Sequence, residues 1–278
     1  MNTKLKTIVA ALGLGLALSS TASHASLINT LFSAGTNTVQ DQDAERLLDS
    51  TGAVKAGGLQ YVVGDSIQSI LRFDSVNGGT IGDSLPAPYQ LTGYSNLIVS
   101  SITDLNGGAL ALNDPIRLHF GLAGDTLVSI FEHTSGTALN FANTPAVSIA
   151  NILGQSPVAS FGLSAAGGDF WFADTINNSS AITLAVGSGQ VAAGAFGLTM
   201  LTGDIPLIAK GILSPIDFAM HDLIGDASVF GRETGVNTGW QVSSNINASF
   251  NVPEPESLAL LGIGLLGMGA SLRKRKAV

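Results

Sequence analysis

The 278-residue chain contains no cysteine, which excludes a disulfide framework and a thiolate metal site. Charge is also scarce: Asp, Glu, Lys and Arg together make up 12% of the residues, so Ser, Thr, Asn and Gly must cover most of the surface. Basic residues are rarest between positions 26 and 251. There Arg46, Lys55, Arg72, Arg117, Lys210 and Arg232 face 18 acidic residues, a balance of −12. A body this negative repels a phosphate backbone, so nucleic acid is not an expected partner. Long apolar runs are missing from the body too, and the positive mean hydropathy of +0.38 is carried in part by the two ends of the chain.

The first end reads as a secretory signal peptide over residues 1–25. Lys4 and Lys6 form its positive start, Ile8 to Leu18 its apolar stretch, and Ser23-His24-Ala25 places small residues where signal peptidase reads. Cleavage is expected between Ala25 and Ser26. Export then follows a Sec-type route, and the mature body runs from Ser26 to Asn251.

Within the body, period-two alternation dominates. From Trp240 to Val252, Trp240, Val242, Ile246, Ala248, Phe250 and Val252 share one parity, broken only by Ser244. Gln241, Ser243, Asn245, Asn247, Ser249 and Asn251 share the other. Side chains alternate faces along a strand, so this stretch predicts a long strand with one buried face. Ile116, Leu118, Phe120 and Leu122 repeat the pattern, as do Ile67, Leu71 and Phe73. Leu127 to Phe131 predicts burial on both faces, and Ile182, Leu184 and Val186 suggest a further strand.

Turn signals separate these runs, among them Asn77-Gly78-Gly79, Asn106-Gly107-Gly108 and Gly167-Gly168. The expectation is one mainly all-β domain, a β-sandwich of jelly-roll type, without internal repeats or a linker. One or two short helices are expected, at Asp41 to Leu48 and at Ile216 to Ile224 behind Pro215.

Four patterns invite a chemical reading. Gly262-Ile-Gly264-Leu-Leu-Gly267 satisfies the dinucleotide spacing, but no βαβ context or downstream acid follows it. Gly82-Asp83-Ser84-Leu85 matches the signature of GDSL-type esterases, with an echo at Gly64-Asp65-Ser66-Ile67. Ala111-Leu112-Asn113-Asp114 half-matches that family's oxyanion block. Its Asp-x-x-His block is missing, since Asp217 stands four residues before His221, and a triad needs every role filled. No catalytic residue and no cofactor is therefore assigned, and a GDSL-like hydrolase is the alternative reading.

Asp41, Asp43 and Glu45 imitate the start of a calcium loop. Arg46 then stands where glycine is required, and Gly52 where the closing glutamate is required. Asp217, His221 and Asp222 supply too few ligands for a site, so no metal ligand is assigned. Phe170-Trp171-Phe172, flanked by Asp169 and Asp174, is either a strand that fills the core or an aromatic patch able to stack on sugars. A carbohydrate- or calcium-binding module is thus a second alternative.

The C-terminal end orders three features: Pro253-Glu254-Pro255, an apolar run from Leu258 to Leu272, and the basic cluster Arg273, Lys274, Arg275 and Lys276. Fifteen residues make a helix of about 22 Å, short against a hydrocarbon core of about 30 Å. The basic cluster beyond the run fixes that end in the cytoplasm and predicts a transmembrane helix over 258–272 with a basic stop over 273–276. The prolines end the preceding strand.

Residues 252–276 closely resemble the PEP-CTERM sorting signal of exported proteins in Gram-negative bacteria that make extracellular polysaccharide. The resemblance implies recognition by an exosortase, transient residence in the inner membrane, and final delivery to the envelope or exterior. It carries no activity onto the body. The body is accordingly expected to be a non-enzymatic cell-surface or extracellular-matrix protein, structural or adhesive in a polysaccharide-rich layer, with extracellular polysaccharide as a partner.

Overall fold

The computed structural model describes residues 31–81, 90–133, 139–180, 189–203 and 221–252. The strands are β1 (Gly35–Leu48), β2 (Ser66–Val76), β3 (Gly79–Thr80), β4 (Gln90–Asp104), β5 (Pro115–Phe120) and β6 (Thr126–His133). They continue as β7 (Ser156–Gly162), β8 (Phe170–Ile176), β9 (Ala192–Gly203), β10 (Leu223–Gly231) and β11 (Val242–Val252), with helix α1 (Pro145–Leu153) between β6 and β7. Every ladder among them is antiparallel.

The expected sandwich gives way to a closed eight-stranded barrel in the order β2-β1-β11-β10-β9-β7-β6-β4, with β4 returning to β2. Two pairings make the difference. β1 joins β11, uniting the first and last strands, and β2 joins β4, so the sheet bonds to itself instead of dividing into two layers. Closure of this kind removes exposed strand edges.

The two long strands β4 and β9 each change neighbour along their length. Gln90–Ser95 of β4 pairs with β6, and Val99–Asp104 with β5. Thr199–Gly203 of β9 pairs with β7, and Ala193–Gly197 with β8. The wall between them is therefore built from β7–β6 at the end that carries the first residues of β1, and from β8–β5 at the other.

Inward residues follow the alternation read from the sequence. Val242, Ala248 and Phe250 of β11 and Ile116, Leu118 and Phe120 of β5 all face the core. Leu127, Val128, Ile130 and Phe131 are buried on both faces, as their pattern predicts. Leu122 departs from it: β5 ends at Phe120, and Leu122 in the following turn is 67% exposed. Small and large residues interlock inside, for Phe196 Cζ lies 2.5 Å from where a Cβ on Gly225 would stand. The cavity left among Leu71, Phe161, Trp171 and Phe250 is about 40 Å³, room for a few waters at most, so the barrel interior among the described residues is packed as core there.

The first expected helix is corrected, and the second is corrected over its described part. Asp41 to Leu48 belongs to β1, because pairing on both flanks and an inward parity override the helix propensity of Ala, Glu, Arg and Leu. Of Ile216 to Ile224, positions 216–220 lie outside the described residues, while Leu223 and Ile224 open strand β10. The helix α1 stands where none was expected. Pro145 occupies its first turn after the extended Thr144, a position where the missing N–H costs nothing. Ile152 of α1 joins Ala44, Ile70, Phe131, Phe141 and Trp240 in a second apolar cluster. Trp240 is fully buried there, ahead of β11, rather than on the strand itself.

The Asn77-Gly78 signal forms the expected turn, with both residues at positive φ, between β2 and β3. The signal peptide, Ile182 to Val186 and the helix expected over 258–272 lie outside the described residues. Among the described residues no helix is long and apolar enough to cross a membrane.

The burial of β5 gives a direct test. Ile116→Ala should cost about 2–5 kcal/mol in denaturant unfolding, whereas Leu122→Ala should stay within about 0.5 kcal/mol. Equal losses would contradict the assigned strand end.

Candidate functional site

Two constellations stand out, one inside the barrel wall and one on its outer face. The first is the seam between β1 and β11. Their ladder runs from Gly35↔Val252 to Gln40↔Asn247, stops, and resumes only at Glu45↔Val242. Asp41 and Asp43 lie in the interval, and Glu45 ends it. Asp41 Oδ1 accepts the N–H of Ile246 at 2.8 Å. Asp43 accepts the N–H of Ser244 with one oxygen and its hydroxyl with the other. Glu45 Oε1 accepts the Ser69 hydroxyl at 2.8 Å and lies 3.1 Å from Ser244 Oγ.

Carboxylates thus take the place of the missing main-chain acceptors. The three acids that imitate a calcium loop are strand residues facing inward, and their oxygens are directed at β11 and β2. Among the described residues no group of three ligating side chains has the geometry to hold a metal ion.

Burial is the largest influence on all three groups and pushes each above the ordinary carboxylate range, Asp41 and Asp43 well above it. Glu45 adds repulsion at both aspartates. The hydrogen bonds agree with a protonated member. Ser244 has one hydroxyl proton and two carboxyl groups within reach, so a proton on Asp43 or Glu45 lets Oγ accept from one and donate to the other.

The second constellation is the outer face of β5 and β8. Successive residues of β8 point to opposite sides, and this divides the aromatic triplet. Trp171 faces inward against Phe196, with ring centroids 4.8 Å apart. Phe170 and Phe172 face outward and stack at 5.8 Å with ring planes 25° apart; Phe170 is 39% exposed.

Arg117 lies 4.0 Å over the Phe172 ring and forms a two-pronged ion pair with Asp174, at 2.7 and 2.8 Å. That bonding holds Asp174 below its ordinary range and raises Arg117. His221 meets Phe170 edge-on at 5.4 Å and contacts Asp169 Oδ1 at 3.0 Å, while Asp169 Oδ2 accepts the Thr199 hydroxyl at 2.6 Å. The ring of His221 lies so close to Gly197 that a Cβ there would meet it at 2.7 Å. Two stacked rings with carboxylate, guanidinium and imidazole groups beside them have the chemistry to stack on the C–H face of a sugar and to hydrogen-bond its hydroxyls.

Other sequence candidates are placed as follows. Gly82 to Leu85 and Asp217 lie outside the described residues. In the echo motif, Asp65 is buried in an ion pair with Lys55 Nζ at 2.5 Å and also accepts the N–H of Val62, while Ser66 opens β2. Asn113 and Asp114 form a turn before β5, with Asn113 at positive φ and Asp114 capping Ala111. His119 stands on β5 near Phe172, and His133 is buried against Thr92 Oγ1 at 2.8 Å.

Sequence reasoning missed the partnership of Asp169 with His221 and that of Asp43 with Ser244. Both pairs are far apart in the chain and meet only when the barrel closes. The signal for the second was present, since Asp41, Asp43, Glu45 and Leu47 share the parity of Val39.

β11 stays paired as far as Val252, so the domain delivers the chain directly to Pro253. Residues 251–276 match the family model of the PEP-CTERM protein-sorting motif, a span that includes Pro253 to Pro255 and Arg273 to Lys276. No curated protein and no solved structure matches the chain. The motif implies export through an exosortase system.

The seam predicts an unusual pH dependence. Acids whose folded pKa is raised stabilise the fold at low pH, and the contribution is lost as pH climbs above about 4 through the raised values. His133, held low by burial, acts in the opposite sense on acidification. The comparison with Asp43→Asn isolates the acids. Melting temperature should fall less in this variant than in the wild type as pH is raised from about 5 to 8. Parallel profiles would contradict a protonated seam.

Proposed function

We propose that the chain is an exported, non-enzymatic protein of the cell surface or extracellular matrix, adhesive or structural in a polysaccharide-rich layer. The observation that carries this reading is the outward Phe170–Phe172 stack with Arg117, Asp174 and His221 beside it. A folded domain ordinarily buries such rings, so an exposed Phe170 stacked on a half-buried Phe172 at the outer wall favours contact with another surface. The sorting motif supports the location. On this reading the C-terminal segment anchors the protein in the inner membrane until an exosortase releases it.

Purified body should sediment with neutral polysaccharide, and Phe170→Ala/Phe172→Ala should abolish this while leaving the melting temperature within a few degrees of wild type. Unchanged sedimentation would overturn the role of the platform. Esterase turnover lost on Ser84→Ala would overturn the non-enzymatic reading.

Processing is tested separately. Because β11 is paired to Val252, the mature C-terminus should lie after that residue. Mass spectrometry of protein from cells with an active exosortase should find it there, and an end before Val242 would contradict the finished-fold arrangement.

A further inference from the structure

A second surface carries its own chemistry. An open groove of about 670 Å³ lies where Gln42 of β1, Arg72 of β2 and Gln90 of β4 meet residues 139–143 and 234–236. Its volume falls within the range of about 300–1,000 Å³ usual for small-ligand sites. Leu139, Phe141 and Val236 form an apolar floor, each anchored in the second apolar cluster.

The polar groups of the groove are held in fixed orientations. Gln90 Oε1 accepts the N–H of Leu139 at 2.8 Å, and Asn140 Oδ1 accepts that of Ala142 at 2.9 Å. Gln42 accepts from Arg72 at 2.6 Å and donates to Glu233 at 2.6 Å. Arg72 also pairs with Asp74 at 2.8 Å and lies 5.4 Å over the Phe141 ring. These bonds use the oxygens of the Gln90 and Asn140 amides, and among the described residues their NH₂ groups have no hydrogen-bond acceptor, beside the Asn143 amide and the Thr234 hydroxyl.

The ligand class follows from this set. Arg72 is neutralised by Asp74, with Glu233 nearby, so the groove has no surplus positive charge to attract an anion. Amides and a hydroxyl over an apolar floor match a molecule whose hydroxyls both donate and accept and whose ring face is apolar. Pre-fixed donors reduce the ordering cost of binding. We propose that this groove binds a short neutral oligosaccharide. The proposal rests on the glycan-facing reading above for its biological setting, but it shares no residue with the Phe170–Phe172 platform, so each can fail alone.

The test uses the mature protein with cellotriose, maltotriose, chitotriose and an oligogalacturonate trimer as calorimetric probes. At least one neutral trimer should bind saturably, and the oligogalacturonate more weakly. Asn143→Ala and Thr234→Val should each weaken that binding by about three- to tenfold. Ala142→Trp, which fills the groove from an exposed position, should abolish it. Phe170→Ala/Phe172→Ala should leave it unchanged.

No saturable binding of any neutral trimer, or binding that survives both Asn143→Ala and Ala142→Trp, would overturn the proposal. Preference for the acidic trimer would overturn its neutral-ligand class. Loss only in the Phe170→Ala/Phe172→Ala protein would assign sugar binding to the platform and remove it from the groove. If Ala142→Trp fails to fold, Asn143→Ala and Thr234→Val decide the outcome.

Discussion

The closure of β1 on β11 is the constraint on which the remaining architecture depends. Without it the strands form an open sheet with two unpaired edges, and the inward rows of both strands lose their cover. The closure is made in two ways. At one end main-chain pairing runs from Gly35 to Gln40 against Val252 to Asn247. Beyond it, Asp41 and Asp43 reach across to the N–H groups of Ile246 and Ser244. An ordinary ladder holds whatever the pH. A ladder completed by buried carboxyl groups does not, because an ionised carboxylate in an apolar wall is costly and three neighbouring ones repel. The seam therefore ties the stability of the barrel to the protonation of three side chains on one strand.

The position of that seam matters for the rest of the molecule. β11 is both the closing strand and the strand that leads into the sorting motif. Anything that pulls on the C-terminal segment pulls first on the region from Asn247 to Val252, where pairing to β1 is regular, and only then on the carboxyl-bonded interval. The regular ladder thus stands between the titratable part of the seam and the end that leads into the sorting motif. At the far end the ladder resumes at Glu45↔Val242, and the Gln241 side chain accepts the N–H of Leu47 and donates to the carbonyl of Lys55.

Much of the β architecture was legible in the sequence, since alternation survives wherever a strand has one buried face. Ile116, Leu118 and Phe120 show this, and the β11 residues from Val242 onward show it again. The step from many strands to a barrel was not legible. It depends on which strands pair, and β1–β11 and β2–β4 are chosen by contacts distant in sequence. The reading of Asp41 to Leu48 as a helix failed for a related reason. Acids near the start of a run of helix formers resemble a helix's first turn, whereas this strand uses them as hydrogen-bond acceptors inside the wall. Helix α1 went unread because a short run such as Ala-Val-Ser-Ile-Ala-Asn-Ile-Leu carries no charge pattern to distinguish it from a strand.

The aromatic triplet shows how a site becomes decidable only in three dimensions. In the sequence, Phe170-Trp171-Phe172 is compatible with core or with surface, because a strand presents neighbours to both sides. The barrel resolves it by giving each side its own fate: the interior takes Trp171, packed on Phe196, and the exterior keeps two phenylalanines. What prevents those two from being ordinary surface residues is their company. Arg117 on the paired strand covers one ring, and His221 abuts the other across the space left by Gly197. A bulkier residue at 197 would displace the imidazole, so the platform depends on a small residue in β9 as much as on the rings themselves. The exposed surface is thus prepared by the same alternation that fills the core, one face of β8 packing Trp171 on Phe196 and the other presenting Phe170 and Phe172 outside.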